Sequence, residues 1–213
     1  ARQSGSENAG GSASSTSIRK IVERLDGVPL AIELAAARTS IMDADQILAG
    51  LDSRFDLLTG GMRDASVQHR SLRASVAWSY DLMTAEEQAL ARRLCVLRGF
   101  TIDTATALGA ADESGKTDVL NLLQRLVDMS IVQVDRSGKN TRFRFLETVR
   151  EFLLEKLQEA GEDIVARGTH LSHFIEFAEY RAQRLILGDG PELMAQIQME
   201  FDNLEDALIF AEG

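Results

Sequence analysis

Between Ile131 and Phe145 the apolar spacing of the chain leaves steps of three and four for alternation, and it returns to helical steps at Glu147. Val132, Val134, Phe143 and Phe145 alternate with polar residues around a polar turn, Asp135 to Asn140, that contains Gly138. Alternation of this kind, broken by a glycine-containing turn, predicts a half-buried two-stranded hairpin. Helical patterns flank it. Glu86 and Glu87 follow Thr84 and favour a helix start, ahead of Leu90, Leu94, Cys95 and Leu97. A short helix is expected from a cap at Asp103 to Leu108, a third from Thr117 to Met129, and a closing one from Glu147 to Glu159, ended by Gly161. Three helices, a two-stranded wing and a further helix make the order of a winged helix. With a preceding helix capped at Ser71 and carrying Leu72, Val76, Trp78 and Tyr80, this segment spans 71–160.

The remainder reads as helix. Residues 1–17 are small and polar without apolar periodicity, the pattern of a flexible linker. Residues 18–70 form a helical domain. Ile18, Ile21, Val22 and Leu25 share one face behind a Thr16 or Ser17 cap, and Gly27 sits where a helix ends. Pro29 opens the next helix, where its missing N–H costs nothing, and Asp43 caps another. Residues 161–213 are expected to form a hairpin of two long amphipathic helices, 164–187 and 191–210, split by Gly188 to Pro191. Their inward positions are Leu171, Phe174, Ile175 and Ala178 on one helix. Leu193, Ile197, Phe201, Leu204 and Leu208 face them from the other. The fold class is therefore mainly α: a small helical bundle, a winged helix with a short β-hairpin, and a C-terminal helical hairpin like the start of a repeat array.

Charge limits the partners. Of a net charge of −10, residues 161–213 hold 3 Lys and Arg against 11 Asp and Glu, a distribution that repels phosphate backbones. The stretches Val28 to Ala37 and Phe174 to Ala178 are short or interrupted by charge, so no membrane span is expected. The single cysteine, Cys95, lies in an apolar helical run and reads as a small core residue in a reducing, cytoplasmic setting.

No catalytic constellation emerges. A GxxxxGK[ST] loop is missing, since Gly109 to Lys116 has neither the spacing nor a preceding strand, and there is no GxSxG elbow. His170, His173 and Glu176 could approach one another on a helix, with His69 far off in sequence, but no fourth ligand accompanies them and a solvated helix face is expected instead of a metal.

Three segments carry a family resemblance. Leu25-Asp26-Gly27-Val28-Pro29-Leu30-Ala31 resembles the GLPLA segment of NB-ARC-type STAND ATPases. Leu72 to Leu82 is similar to the helix that precedes the winged helix in their large bacterial members, and Arg144 to Phe152 is similar to the segment that ends the wing. Those members are ATP-dependent transcriptional regulators of the LuxR-like and antibiotic-regulator-like kinds. The resemblance covers residues 18–211. It implies that an ATPase domain upstream and an output domain elsewhere belong to the same protein. It also implies ADP or ATP as cofactor of that whole protein, with Gly27, Pro29 and Leu30 at the adenine, and protein partners held through helical repeats. The pattern departs at Phe145, Leu146 and Glu147, where eukaryotic relatives carry Met-His-Asp; a leucine cannot donate to a phosphate.

The chain alone, without a phosphate cradle, is expected to bind no nucleotide and to hydrolyse none. Its expected function is regulatory: coupling nucleotide state to conformational change and protein contacts inside a STAND-type transcriptional regulator. The alternative is a winged helix that reads DNA. The third helix offers only Asn121, Gln124 and Arg125 against Asp118 and Asp128, whereas the wing offers Arg136, Lys139, Arg142 and Arg144. Those four are the candidate contacts for either DNA or a protein partner, and DNA binding is the less expected use.

Overall fold

The structure, a computed structural model, describes residues 7–25, 28–58, 67–109, 119–136, 138, 140–186 and 190–212. The side chains of 7–14, 30, 52–58, 67–71, 191 and 192 are excepted. It is mainly helical with one two-stranded antiparallel sheet, and it divides into two units. No helix among the described residues is long and apolar enough to cross a membrane.

The first unit comprises residues 1–84 with 128–131. It contains α1 (Glu7–Arg24), α2 (Pro29–Ala36) with a 3-10 turn at Ala37–Ser40, α3 (Ala44–Leu58) and α4 (Val67–Asp81). Ile21, Leu25, Ala31, Ala35, Ile47, Leu51 and Trp78 form its core. Asp43 caps α3 as the sequence predicts: its carboxylate accepts from the Gln46 N–H at 2.9 Å, and the Gln46 side chain accepts from the Asp43 N–H at 3.0 Å. Two expectations change. Residues 7–17 are helical where a linker was expected, and Thr16 and Ser17 lie inside α1 instead of capping it. Ser17 is buried and donates to Asp45 on α3, and once Ile18–Leu25 is anchored there, adding turns upstream costs little. The expected boundary at 70/71 also falls inside this unit. α4 starts at Val67, with Ser71 inside it, and Trp78 joins the core through packing on α2 and α3.

The second unit comprises 85–127 and 132–213. Its elements are α5 (Ala85–Leu94), α6 (Ile102–Gly109), α7 (Val119–Asp128), β1 (Val132–Asp135), β2 (Arg142–Phe145), α8 (Glu147–Glu159), α9 (Asp163–Ile186), α10 (Pro191–Met199) and α11 (Phe201–Glu212). The strands pair antiparallel with Val132 opposite Phe145 and Val134 opposite Phe143. Val132, Phe143 and Phe145 are buried, as the alternation requires. Thr101, not Asp103, caps α6 by accepting from the Thr104 N–H at 3.3 Å. Gly161 takes φ +69° and ends α8. The expected C-terminal hairpin is a three-helix arrangement, because its second helix breaks at Glu200, whose backbone leaves the helical region at φ −103° and ψ 9°. α9 packs on α6 and α8, and all three helices share one unit with the winged-helix elements, where a separate segment from residue 161 was expected.

Candidate functional site

The wing is held from two sides. Phe100 adds a one-residue third strand: its N–H donates to the Phe143 carbonyl at 2.9 Å and its carbonyl accepts from the Phe143 N–H at 2.8 Å. The Phe100 ring, fully buried, stacks on Phe143 with centroids 5.8 Å apart and leans on Phe145 at 5.9 Å. From the other side comes the break between α10 and α11. That break turns Glu200 and Asn203 inward, both nearly sealed from solvent.

Asn203 is the hub. Its side-chain oxygen accepts from the Arg98 N–H at 2.8 Å, and its amide donates to the Gly99 carbonyl at 2.8 Å and to Glu200 Oε2 at 2.7 Å. Two of the three bonds satisfy backbone groups of the segment that leads into Phe100, and the third orients the Glu200 carboxylate. The other Glu200 oxygen accepts from Arg142 of β2, and Arg142 Nη2 donates to the Met199 carbonyl at 3.4 Å. Arg98 Nε donates to Asp206 Oδ2 at 2.7 Å, which holds its guanidinium above the usual arginine range. Arg150 of α8, itself buried, lies 3.9 Å from the same carboxylate and 3.4 Å from Glu147. Asp206 of α11, Glu200 at the α10–α11 break, and Arg98, Arg142 and Arg150 thus form a polar cluster behind the wing. The arrangement is a clasp that ties the hairpin, through Arg142, to the break between α10 and α11.

The sequence-predicted contacts scatter. Of the four wing cations, Arg142 is engaged by Glu200, Arg136 and Arg144 are exposed, and Lys139 lies outside the described residues. On α7, Asn121, Gln124 and Arg125 are exposed, and Arg125 reaches Glu87 of α5 at 3.2 Å. Pro29 is exposed at the first position of α2 with Val28 as an extended N-cap. Gly27 and the Leu30 side chain lie outside the described residues. His170 is buried with its ring 4.7 Å from Phe174, and burial lowers it to about 4; His173 sits edge-on to the same ring. His69's side chain lies outside the described residues, and among these no cluster of His, Cys, Asp or Glu is placed to hold a metal. Cys95 is buried, its thiol pushed up to about 12 by desolvation and donating to the Arg92 carbonyl at 3.0 Å. The cluster itself was missed from sequence. Its signal is Glu200-x-x-Asn203-x-x-Asp206, polar residues at i, i+3 and i+6 in an amphipathic helix, on the face where apolar residues would be expected.

No family model matches the chain. Over 196 residues, 91% of the chain, it is 41% identical to a protein of Mycobacterium tuberculosis (strain ATCC 25618 / H37Rv) whose provisional name is HTH-type transcriptional regulator. It is equally similar to a Mycobacterium bovis protein of the same kind of name. A further Mycobacterium tuberculosis protein, uncharacterized, is 44% identical over 147 residues, which are 68% of the chain and 37% of that relative. The chain spans 22% of the length of the two named regulators it matches.

Proposed function

We propose that this chain is a regulatory module of a transcriptional regulator, in which the winged helix is a packing element and not the DNA reader. The observation that carries the reading is the Arg142–Glu200–Asn203 cluster. It uses a wing cation internally, and it couples the hairpin to the break between α10 and α11. Binding DNA through phosphates depends on several free Lys or Arg side chains acting together. Here the described wing offers Arg136 and Arg144, beside helices that carry an excess of acids. In the finer reading, the module belongs to a STAND-type ATPase. ADP or ATP bound by an upstream domain would meet Pro29 and its neighbours Gly27 and Leu30, and nucleotide exchange would shift the clasp between closed and open. The resemblance of Leu25 to Ala31, Leu72 to Leu82 and Arg144 to Phe152 to that family supports this, as does the exposure of Pro29.

A second reading, a winged helix that itself reads DNA, has the provisional names of the relatives in its favour, and those names fit it at least as well. The names cover proteins of which this chain matches 22%, so the helix-turn-helix they denote has room elsewhere. Fluorescence anisotropy with mixed-sequence duplex DNA separates the two. The module reading predicts no binding tighter than the roughly 10⁻⁴–10⁻⁶ M of non-specific contacts at physiological salt. Selective binding well below that range, lost when Arg136 and Arg144 become alanine, would establish the reader.

A further inference from the structure

α9 is apolar on two neighbouring faces, about a quarter turn apart. One side buries Ala166, His170 and Phe174, where α9 packs on α6, α10 and α11. The other follows the steps three, four, three, four, three through Gly168, Leu171, Ile175, Ala178, Ala182 and Leu185, a heptad seam in which every position is apolar. Ile175 is 48% and Leu185 36% exposed, and Val165 and Ile186, which flank the seam near its ends, are 71% and 85% exposed. The sequence reading sends Ile175 and Ala178 inward; the structure turns both outward. Gly168 is a second observation. Glycine inside a helix weakens it relative to alanine, yet a Cβ at Gly168 would meet nothing within 4 Å. Nothing among the described residues requires a glycine there, whereas the close approach of another helix would.

We propose that this seam pairs with the same seam of a second copy of the chain, antiparallel, about a two-fold axis between residues 176 and 177. Size complementarity argues for that occupant. The axis sets Gly168 against the partner's Leu185, Leu171 against the partner's Ala182 and Ile175 against the partner's Ala178, so every layer joins one large and one small residue. Parallel pairing in register would instead stack Ile175 on itself and leave Gly168, Ala178 and Ala182 facing their own copies across voids. The antiparallel axis also brings Val165 beside the partner's Ile186 and Glu179 beside the partner's Ser172, covering two strongly exposed flanking apolar residues without opposing like charges. Such an interface is isologous and closes at two copies.

Sedimentation velocity on the 213-residue chain tests this. At about 100 μM, where a pair with a dissociation constant of about 10 μM is mostly associated, the expected mass is twice 23.4 kDa. Ile175→Lys should raise the dissociation constant about 100-fold by placing a charge in the seam, with helical circular dichroism unchanged because Ile175 is exposed. Ile186→Glu is the second variant, expected to weaken pairing about tenfold from outside the packed layers. Ala178→Ile alone should also weaken it, and Ala178→Ile with Ile175→Ala should restore it, since the swap keeps one large and one small residue in the layer. A chain that stays monomeric at this concentration overturns the proposal, leaving the seam to another helix of a longer protein. So does a dimer indifferent to both Ile175→Lys and Ile186→Glu, or a swap that fails to rescue.

Discussion

Arg142 ties the wing to Glu200, Asn203 ties the Arg98–Gly99 backbone to the same C-terminal helices, and the chemistry beside them sets a pH response. His170, on α9, is buried with Asp206 of α11 favouring its charged form and His173 and Arg167 of its own helix opposing it; burial dominates and the ring titrates at about 4. An unfolded histidine titrates near 6.5. Between those values the unfolded chain binds more protons than the folded one, so stability rises with pH and is lost as pH falls from 6.5 towards 4. The full effect is on the order of 3 kcal/mol. His173, also lowered by burial, adds in the same direction. Denaturant midpoints at pH 7 and pH 5 should therefore differ, and His170→Leu should narrow the difference. A midpoint unchanged across this window, or a difference untouched by the substitution, would contradict the placement of His170.

At the scale of elements, helix contacts depend on small residues that periodicity does not rank. Gly50 of α3 lies under the Trp78 indole of α4, and a Cβ built there would come within 3.0 Å of three ring atoms. Gly50→Ala improves helix propensity by about 1 kcal/mol but forces the rings and helices apart. Overpacking costs typically 1–3 kcal/mol, so a net loss of roughly 1 kcal/mol is expected in urea titration, and a gain would contradict the close approach. Most elements were legible beforehand. The alternation of Val132 to Phe145, the Asp43 cap and the glycine stop at Gly161 each act locally, within a few residues, and each appears where the sequence places it. The misses came from long-range contacts. α1 extends to Glu7 beyond its apolar stretch, with the Ser17–Asp45 bond anchoring it 28 positions away. The second C-terminal helix breaks at Glu200 because that carboxylate and Asn203 turn towards Arg98, Gly99 and Arg142, about a hundred and about sixty positions earlier. A helical pattern does not register partners at that separation.

At the scale of the whole molecule, the wing is coupled to α10 and α11 through Arg142. The four wing cations were legible as a set, but their division of labour was not: only the fold reveals that Arg142 is committed to Glu200 while Arg136 and Arg144 face solvent. The coupling makes the hairpin's stability depend on residues some sixty positions away. Asn203→Ala isolates it, because the substitution removes the hub without touching either strand. It removes the partners of the Arg98 N–H and the Gly99 carbonyl, both part-buried bonds, at about 1–2 kcal/mol. Native-state hydrogen exchange followed residue by residue gives the direct measurement. In the variant, the Phe100 and Phe143 amides, which lock the third strand to β2, should exchange at least about tenfold faster, as a loss of about 1.4 kcal/mol requires. Wing amides that exchange at the wild-type rate in Asn203→Ala would contradict the coupling and, with it, the reading of this cluster as a clasp.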